Sequence, residues 1–300
     1  MNTVPSSTYF SAPPEWGWLI VFYFFFGGLA GGTYFLAVLI DLFGRAEDRP
    51  LARLGYYIAF PCVVLSGLLL TLDLGRPLRL WHMLIESNTW RPMFKLWSPM
   101  SVGSWALLIF GIFSLISFLG ALVEDDRLEW PAGRRVRPPG VLSGLIGVIG
   151  GLFGFYVAGY TGVLLAVTNR PIWSDTPLLG MLFVVSAASI SAALMILLAQ
   201  RSRWTMPGVL ALHRMDAWVV ALEFVVLIAV MISLGPVFRA WLSAWGLLLF
   251  FGVIVVGMLL PLWLYWRKQS GDLNLTTEAA LVLVGGFILR LVIVFSAQGV

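Results

Sequence analysis

The chain has 300 residues, of which 60% are hydrophobic and only 11% charged, and its mean hydropathy is +0.92. A soluble domain of this size carries about a quarter charged residues, so much of the apolar surface must face lipid. The net charge of +4 resides in loops with no basic stripe interleaved with aromatics, which argues against nucleic acid as a partner, and Cys62 is the only cysteine, which excludes an internal disulfide or an iron–sulfur cluster held by four cysteines of this chain.

The apolar residues gather into eight runs, at about 17–42, 51–72, 97–122, 141–163, 177–199, 213–235, 242–266 and 277–297. A helix needs roughly 20 apolar residues to cross a bilayer, and a backbone in lipid must satisfy its own hydrogen bonds. The spacing predicts an all-α membrane protein, one integral membrane domain over residues 1–300, with eight transmembrane helices in two four-helix bundles. The first run reads as a retained helix. No basic stretch precedes it, and it is too long for the core of a cleaved signal. Pro50, Gly75-Arg76-Pro77, Pro138-Pro139, Arg170-Pro171 and Gly271 punctuate the connections. The longest connection, about 124–139, is short and of mixed charge, and nothing in the chain is long enough for a soluble catalytic domain.

Eight spans put both termini on one side. Connections 1–2, 3–4, 5–6 and 7–8 carry twelve cations: Arg45, Arg49, Arg53, Arg127, Arg134, Arg135, Arg137, Arg201, Arg203, Arg214, Arg267 and Lys268. The other side carries six: Arg76, Arg79, Arg91, Lys95, Arg170 and Arg239. The positive-inside rule therefore predicts both termini outside the cytoplasm. Gly27/Gly31, Gly28/Gly32, Gly147/Gly151, Gly150/Gly154 and Gly285-Gly286 read as close helix packing.

With that topology, several polar groups share one depth near the outer interface: Tyr23 early in helix 1, Asp73 at the end of helix 2, His82 just beyond it, Tyr156 and Tyr160 late in helix 4, and Arg170 after it. An imidazole beside a carboxylate is suited to exchanging protons near neutral pH, so Asp73 and His82 form one candidate pair; the alternative is that Asp73 pairs with Arg76 and anchors a helix end. Arg76, Arg79 and Arg91 read as snorkelling anchors. The three tyrosines are either ligand-bonding phenols or members of an interfacial belt. Deeper in the membrane lie Glu223 and Arg290, with Asp216 and His213 at the cytoplasmic start of helix 6. They read either as a stepped proton path or as a structural ion pair between Glu223 and Arg290. His82 and His213 fall at opposite edges of the bilayer, so a bis-histidine haem is not expected, and no metal-ligand spacing appears.

Four motifs together resemble the NrfD/PsrC family of polysulfide-reductase-like membrane subunits: FGGLAGGTYF (26–35), LDLGRPLRLWHML (72–84), YTGVLLAVTNRPIW (160–173) and LRLVIVFSAQG (289–299). The resemblance implies a multi-pass subunit of a bacterial or archaeal cytoplasmic membrane that binds a quinone, such as menaquinone, near the outer face and holds no haem or cluster of its own. It also implies a ferredoxin-like four-cluster iron–sulfur partner and a molybdenum or tungsten catalytic subunit. By the same resemblance Tyr160 bonds the quinone, and Tyr23 occupies a helix 1 position that is histidine in some members. A phenol donates a hydrogen bond there but is a poor proton acceptor, which moves proton exchange toward His82 and Asp73. Tyr160, Tyr23, His82, Asp73 and Arg170 are thus the expected quinone site, and Glu223, Asp216 and Arg290 the expected proton path. A reading from another class makes the chain a secondary transporter with a charged site at Glu223 and Arg290.

Overall fold

A computed structural model describes residues 15–129, 140–200, 206–267 and 274–298. The expectations that fall on Arg134, Arg135, Arg137, Pro138, Pro139, Arg201, Arg203, Lys268 and Gly271 lie outside these residues. Among these residues, eight helices are long and apolar enough to cross a membrane: α1 Trp18–Phe43, α2 Arg49–Asp73, α3 Pro99–Glu124, α4 Val141–Ala166, α5 Leu179–Ala199, α6 Met206–Ser233, α7 Ala244–Arg267 and α8 Leu275–Ser296. Among the described residues there is no strand, only the isolated bridge between Ile85 and Pro92.

Local chemistry sets several of the ends. Pro99 opens α3, where its missing N–H costs nothing, and the Ser98 hydroxyl accepts from Ser101 N–H as a cap. Pro50 sits in the first turn of α2 in the same way. Helix α6 begins seven residues earlier than the apolar run suggests, because Pro207 falls in its first turn, where proline is compatible with a helix. Residues Leu249–Leu259 within α7 are wound as a π-helix, which no feature of the sequence marks.

Helix α1 is the most enclosed of the eight. It packs on α2, α4 and α5, while α3 bridges α2 and α4; α5 packs on α6 and α8, and α8 on α7. Two apolar clusters result. One, around Tyr34, Tyr56 and Phe110, lies among α1–α4; the other, around Phe24, Trp173, Phe183 and Leu289, joins α1 to α5, α6 and α8. Small residues permit the closest crossings: a Cβ at Gly31 would strike the Gly154 backbone, and one at Gly285 would strike Gly257. The two ends of the described chain meet, with Gln298 Nε2 donating to Trp16 O at 2.7 Å. This end of the molecule is the terminal end; the opposite one is the far end.

Candidate functional site

The connection from α2 to α3 lies at the terminal end. Gly75, at φ +67, turns the chain out of α2, and a 3-10 helix, Pro77–Met83, follows. A tight turn then brings Glu86 N–H to Arg91 O at 2.9 Å and Met93 N–H to Leu84 O at 2.8 Å. Trp105 of α3 pins the connection by donating to Met93 O at 3.0 Å. Within it His82 stacks on Trp81 at 3.8 Å, and Trp81 stacks on Trp90 at 5.5 Å. The His82 Nδ1 lies 3.1 Å from Arg79 O.

Asp73 is expected either to exchange protons with His82 or to pair with Arg76. No hydrogen bond or ion pair joins Asp73 to His82 among the described residues, and none joins Asp73 to Arg76. Helix α2 ends at Asp73, and the turn at Gly75 lies between it and His82.

The tyrosines do converge. Tyr23 in the second turn of α1 is buried, Tyr160 in α4 is buried, and Tyr156 one turn earlier is 40% exposed on the outside of the helices. The rings of Tyr156 and Tyr160 stack at 5.8 Å with 23° between planes. Tyr23 lies close to both Tyr160 and Tyr156. Gly103, near the start of α3, lies directly against the Tyr160 phenol, where any Cβ would collide with the ring. On the other side Gly27 brings the Tyr23 ring near Ser66 of α2, whose hydroxyl is already bonded to Cys62 O at 2.8 Å. Four helices therefore meet at these phenols. None of the three hydroxyls shares a hydrogen bond with another described residue. None of the three phenol oxygens is a fully enclosed unpaired atom among the described residues, so each keeps surface from which it can bond a ligand or water. Asp73, seven residues beyond Ser66, lies roughly 10 Å nearer the terminal-end surface at about 1.5 Å per residue.

Arg170 is buried and serves the connection. Its Nη1 donates to Ala297 O at 3.5 Å, and its guanidinium lies 5.9 Å from the Trp173 ring. Trp173, fully buried, donates to Ile293 O at 2.7 Å and stacks on Trp16 at 4.9 Å. Ile172 has φ +69, unusual for a β-branched residue; the Asp175 carboxylate holds this turn by accepting from Ile172 N–H at 2.8 Å.

The second polar assembly runs through α5, α6 and α8. Arg290, 1% exposed, donates Nε to Phe24 O at 3.2 Å and Nη1 to Ser186 Oγ at 3.0 Å and to Gly286 O at 2.7 Å. Glu223 faces Ser186 and Arg290. Asp216 accepts from Ser189 at 3.0 Å. His213 Nε2 meets Glu278 Oε2 at 2.5 Å. His213, Asp216 and Glu223 are all buried on α6, so the file steps from the start of α8 to the backbone carbonyl of Phe24, next to Tyr23. Glu278, Ser186 and Ser189 are members that the sequence did not single out. Glu278 is in the first turn of α8, where a carboxylate suits the helix dipole; a lone acid among apolar residues was the available signal. Among the described residues, no three His, Cys, Asp or Glu side chains converge as metal ligands.

Residues 8–300 match the family model described as "Polysulphide reductase, NrfD". Over 308 residues the sequence is 30% identical to a polysulfide reductase chain from Wolinella succinogenes, covering 94% of each. It is 28% identical over 313 residues to Protein NrfD of Escherichia coli, covering 94% of this chain and 95% of that one. A local likeness, 29% over 102 residues, links it to a selenate reductase subunit from Mesobacillus selenatarsenatis, covering 34% of this chain and 22% of the relative.

Proposed function

We propose that this chain, which belongs to the NrfD family of polysulphide reductase membrane subunits, exchanges electrons between membrane quinone and an iron–sulfur partner at a site bounded by Tyr23, Tyr156 and Tyr160. The observation that carries this reading is the convergence of three phenols with unused hydrogen-bond donors, set in apolar surroundings within a membrane subunit of the reductase type. Ligand sites of this kind are mostly apolar with a few well-placed polar groups.

A bound quinone supplies two-electron, two-proton redox chemistry. The chain's own residues hold and orient it. Tyr160, braced by Gly103, donates its O–H to one carbonyl oxygen, and Tyr23 offers a second donor from α1. The half-exposed Tyr156 ring forms the wall toward lipid, where an apolar tail would lie. His82 and Asp73, nearer the surface, exchange protons with water at the terminal end. Arg170 positions the α4–α5 connection against α8. Glu223, Asp216 and Arg290, extended by His213 and Glu278, form a proton path between the far end and α1. Arg290 and Glu223 are packed against hydroxyl and backbone partners, which favours this role over a transported-substrate site.

The topology adopted is two four-helix bundles with the terminal end outside a bacterial or archaeal cytoplasmic membrane. There the aromatic and basic 75–98 connection would meet a four-cluster iron–sulfur subunit, itself joined to a molybdenum or tungsten catalytic subunit. The relatives' names, which are those of polysulfide and selenate reductase components, support membership of such a complex.

The test is Tyr160→Phe alongside His82→Ala. Loss of one net hydrogen bond of about 1 kcal/mol weakens quinone-analogue binding roughly fivefold in Tyr160→Phe, whereas His82→Ala slows quinone-linked turnover with binding retained. If binding and turnover both survive in the two variants, the site lies elsewhere.

A further inference from the structure

We propose that α1–α4 also enclose a hydrated vestibule, open at the far end, from which a file of hydroxyls leads protons toward the tyrosine site, with Phe110 as the plug between them. The cavity measures about 700 Å³ and is bounded by Asp41, Arg49, Tyr56, Glu124, Asp126 and Ser143 among others. At about 30 Å³ per molecule it has room for on the order of twenty waters, far more than one cation needs. Three carboxylates against one guanidinium make it a poor seat for a phosphate headgroup. A lining of this kind does not stay dry, because burying charge away from water costs too much.

The polar groups continue inward from its floor. Tyr56 donates to Asp41 Oδ2 at 2.6 Å, and Arg49 lies 3.2 Å from the other carboxylate oxygen and 2.8 Å from Glu124. The Tyr34 ring packs edge-on against Tyr56 at 5.2 Å, and its hydroxyl lies 2.7 Å from Ser117 Oγ, deep within the helices. One turn further along α3 is Ser114, fully buried, whose Oγ has no partner among the described residues. An unbonded hydroxyl at that depth is what a water chain would reach. The next residue on the same face of α3 is Phe110, fully buried and edge-on to Tyr34 at 5.5 Å. Ala106 and then Gly103, beneath Tyr160, complete the stripe. Spacings of three and four put all of these on one face. The file is thus polar from Glu124 to Ser114 and apolar for the last turns below the tyrosines.

Along the file only O–H bonds change. A vestibule water carries the proton from the Tyr56 hydroxyl to that of Tyr34, and each oxygen beyond takes a proton from the far-end side and releases its own toward α3's first turns, so no charge is left behind. The inference rests on the quinone reading only for where the protons are consumed, and its test contains no quinone. Ser143→Cys and the outward-facing Leu152→Cys, each in a Cys62→Ser background, are exposed in sealed vesicles of both orientations to a charged, membrane-impermeant thiol reagent. Ser143→Cys should react about tenfold faster than Leu152→Cys, and only when the far end faces the reagent, because thiol reactivity follows access to water. Equal rates overturn the vestibule. In proteoliposomes under a potassium–valinomycin potential, Phe110→Ala should raise proton influx roughly tenfold, the milder Phe110→Leu less so, and added Tyr34→Phe should suppress it, as removing one hydroxyl breaks a hydrogen-bonded chain. Folded Phe110 variants that stay as tight as the parent protein overturn the plug, and a leak indifferent to Tyr34→Phe overturns the file.

Discussion

The tyrosine pocket and the α5–α6–α8 file both bury polar groups within a membrane-spanning core, and they handle them in opposite ways. In the file, Arg290 alone has three hydrogen-bond acceptors, Asp216 has Ser189 and His213 has Glu278. In the pocket, the three phenols have none from the described residues. A bonded network fixes helices relative to one another, whereas hydroxyls that keep accessible surface can bond something that comes and goes. The contrast separates polar groups bonded to one another from polar groups open to an outside partner, without reference to any particular ligand.

Substitution on each side should sharpen that contrast. The largest effect is expected at Arg290→Leu. It removes the hydrogen bonds to Phe24 O, Ser186 and Gly286 O and the cation that Glu223 faces, and a buried partner left unsatisfied costs about 1–3 kcal/mol. Thermal unfolding in detergent should drop sharply, and Glu223→Gln added to it should restore part of the loss; additive losses would mean the two residues are not coupled. Gly103→Ala comes next. Alanine favours a helix by about 1 kcal/mol over glycine, so folding is preserved while the new Cβ displaces the Tyr160 phenol. Quinone-analogue affinity should fall about tenfold, equivalent to about 1.4 kcal/mol, and unchanged affinity would detach Tyr160 from the binding site. The smallest is Trp173→Phe, which removes the bond to Ile293 O. It should lower stability by about 1 kcal/mol with analogue binding intact; weaker binding would extend the pocket to the α4–α5 connection.

The membrane helices were legible because apolar length in lipid admits few alternatives. The level of Tyr23 and Tyr160 followed from counting residues once the alternation of spans was known. What sequence could not supply was lateral position. Asp73 and His82 are close in the chain, yet no hydrogen bond joins them among the described residues, and a glycine turn intervenes. Glu278 sits 65 positions from His213 yet touches it. Ser186 and Ser189 look like packing residues in an apolar helix until their partners are seen. Gly103 was one glycine among 31, and only the ring lying on it gives it a role.

Tyr156 leaves 40% of its surface outside the helical bundle, beside Leu152 and Phe155, which are likewise exposed. An entrance on that flank draws from hydrocarbon rather than from water. Occupancy of the pocket would then follow the mole fraction of ligand among lipids, a two-dimensional quantity, and dilution of the surrounding buffer would leave it unchanged. Adding detergent or excess lipid at fixed ligand would empty it, and the same site would register different apparent affinities in membranes of different lipid content.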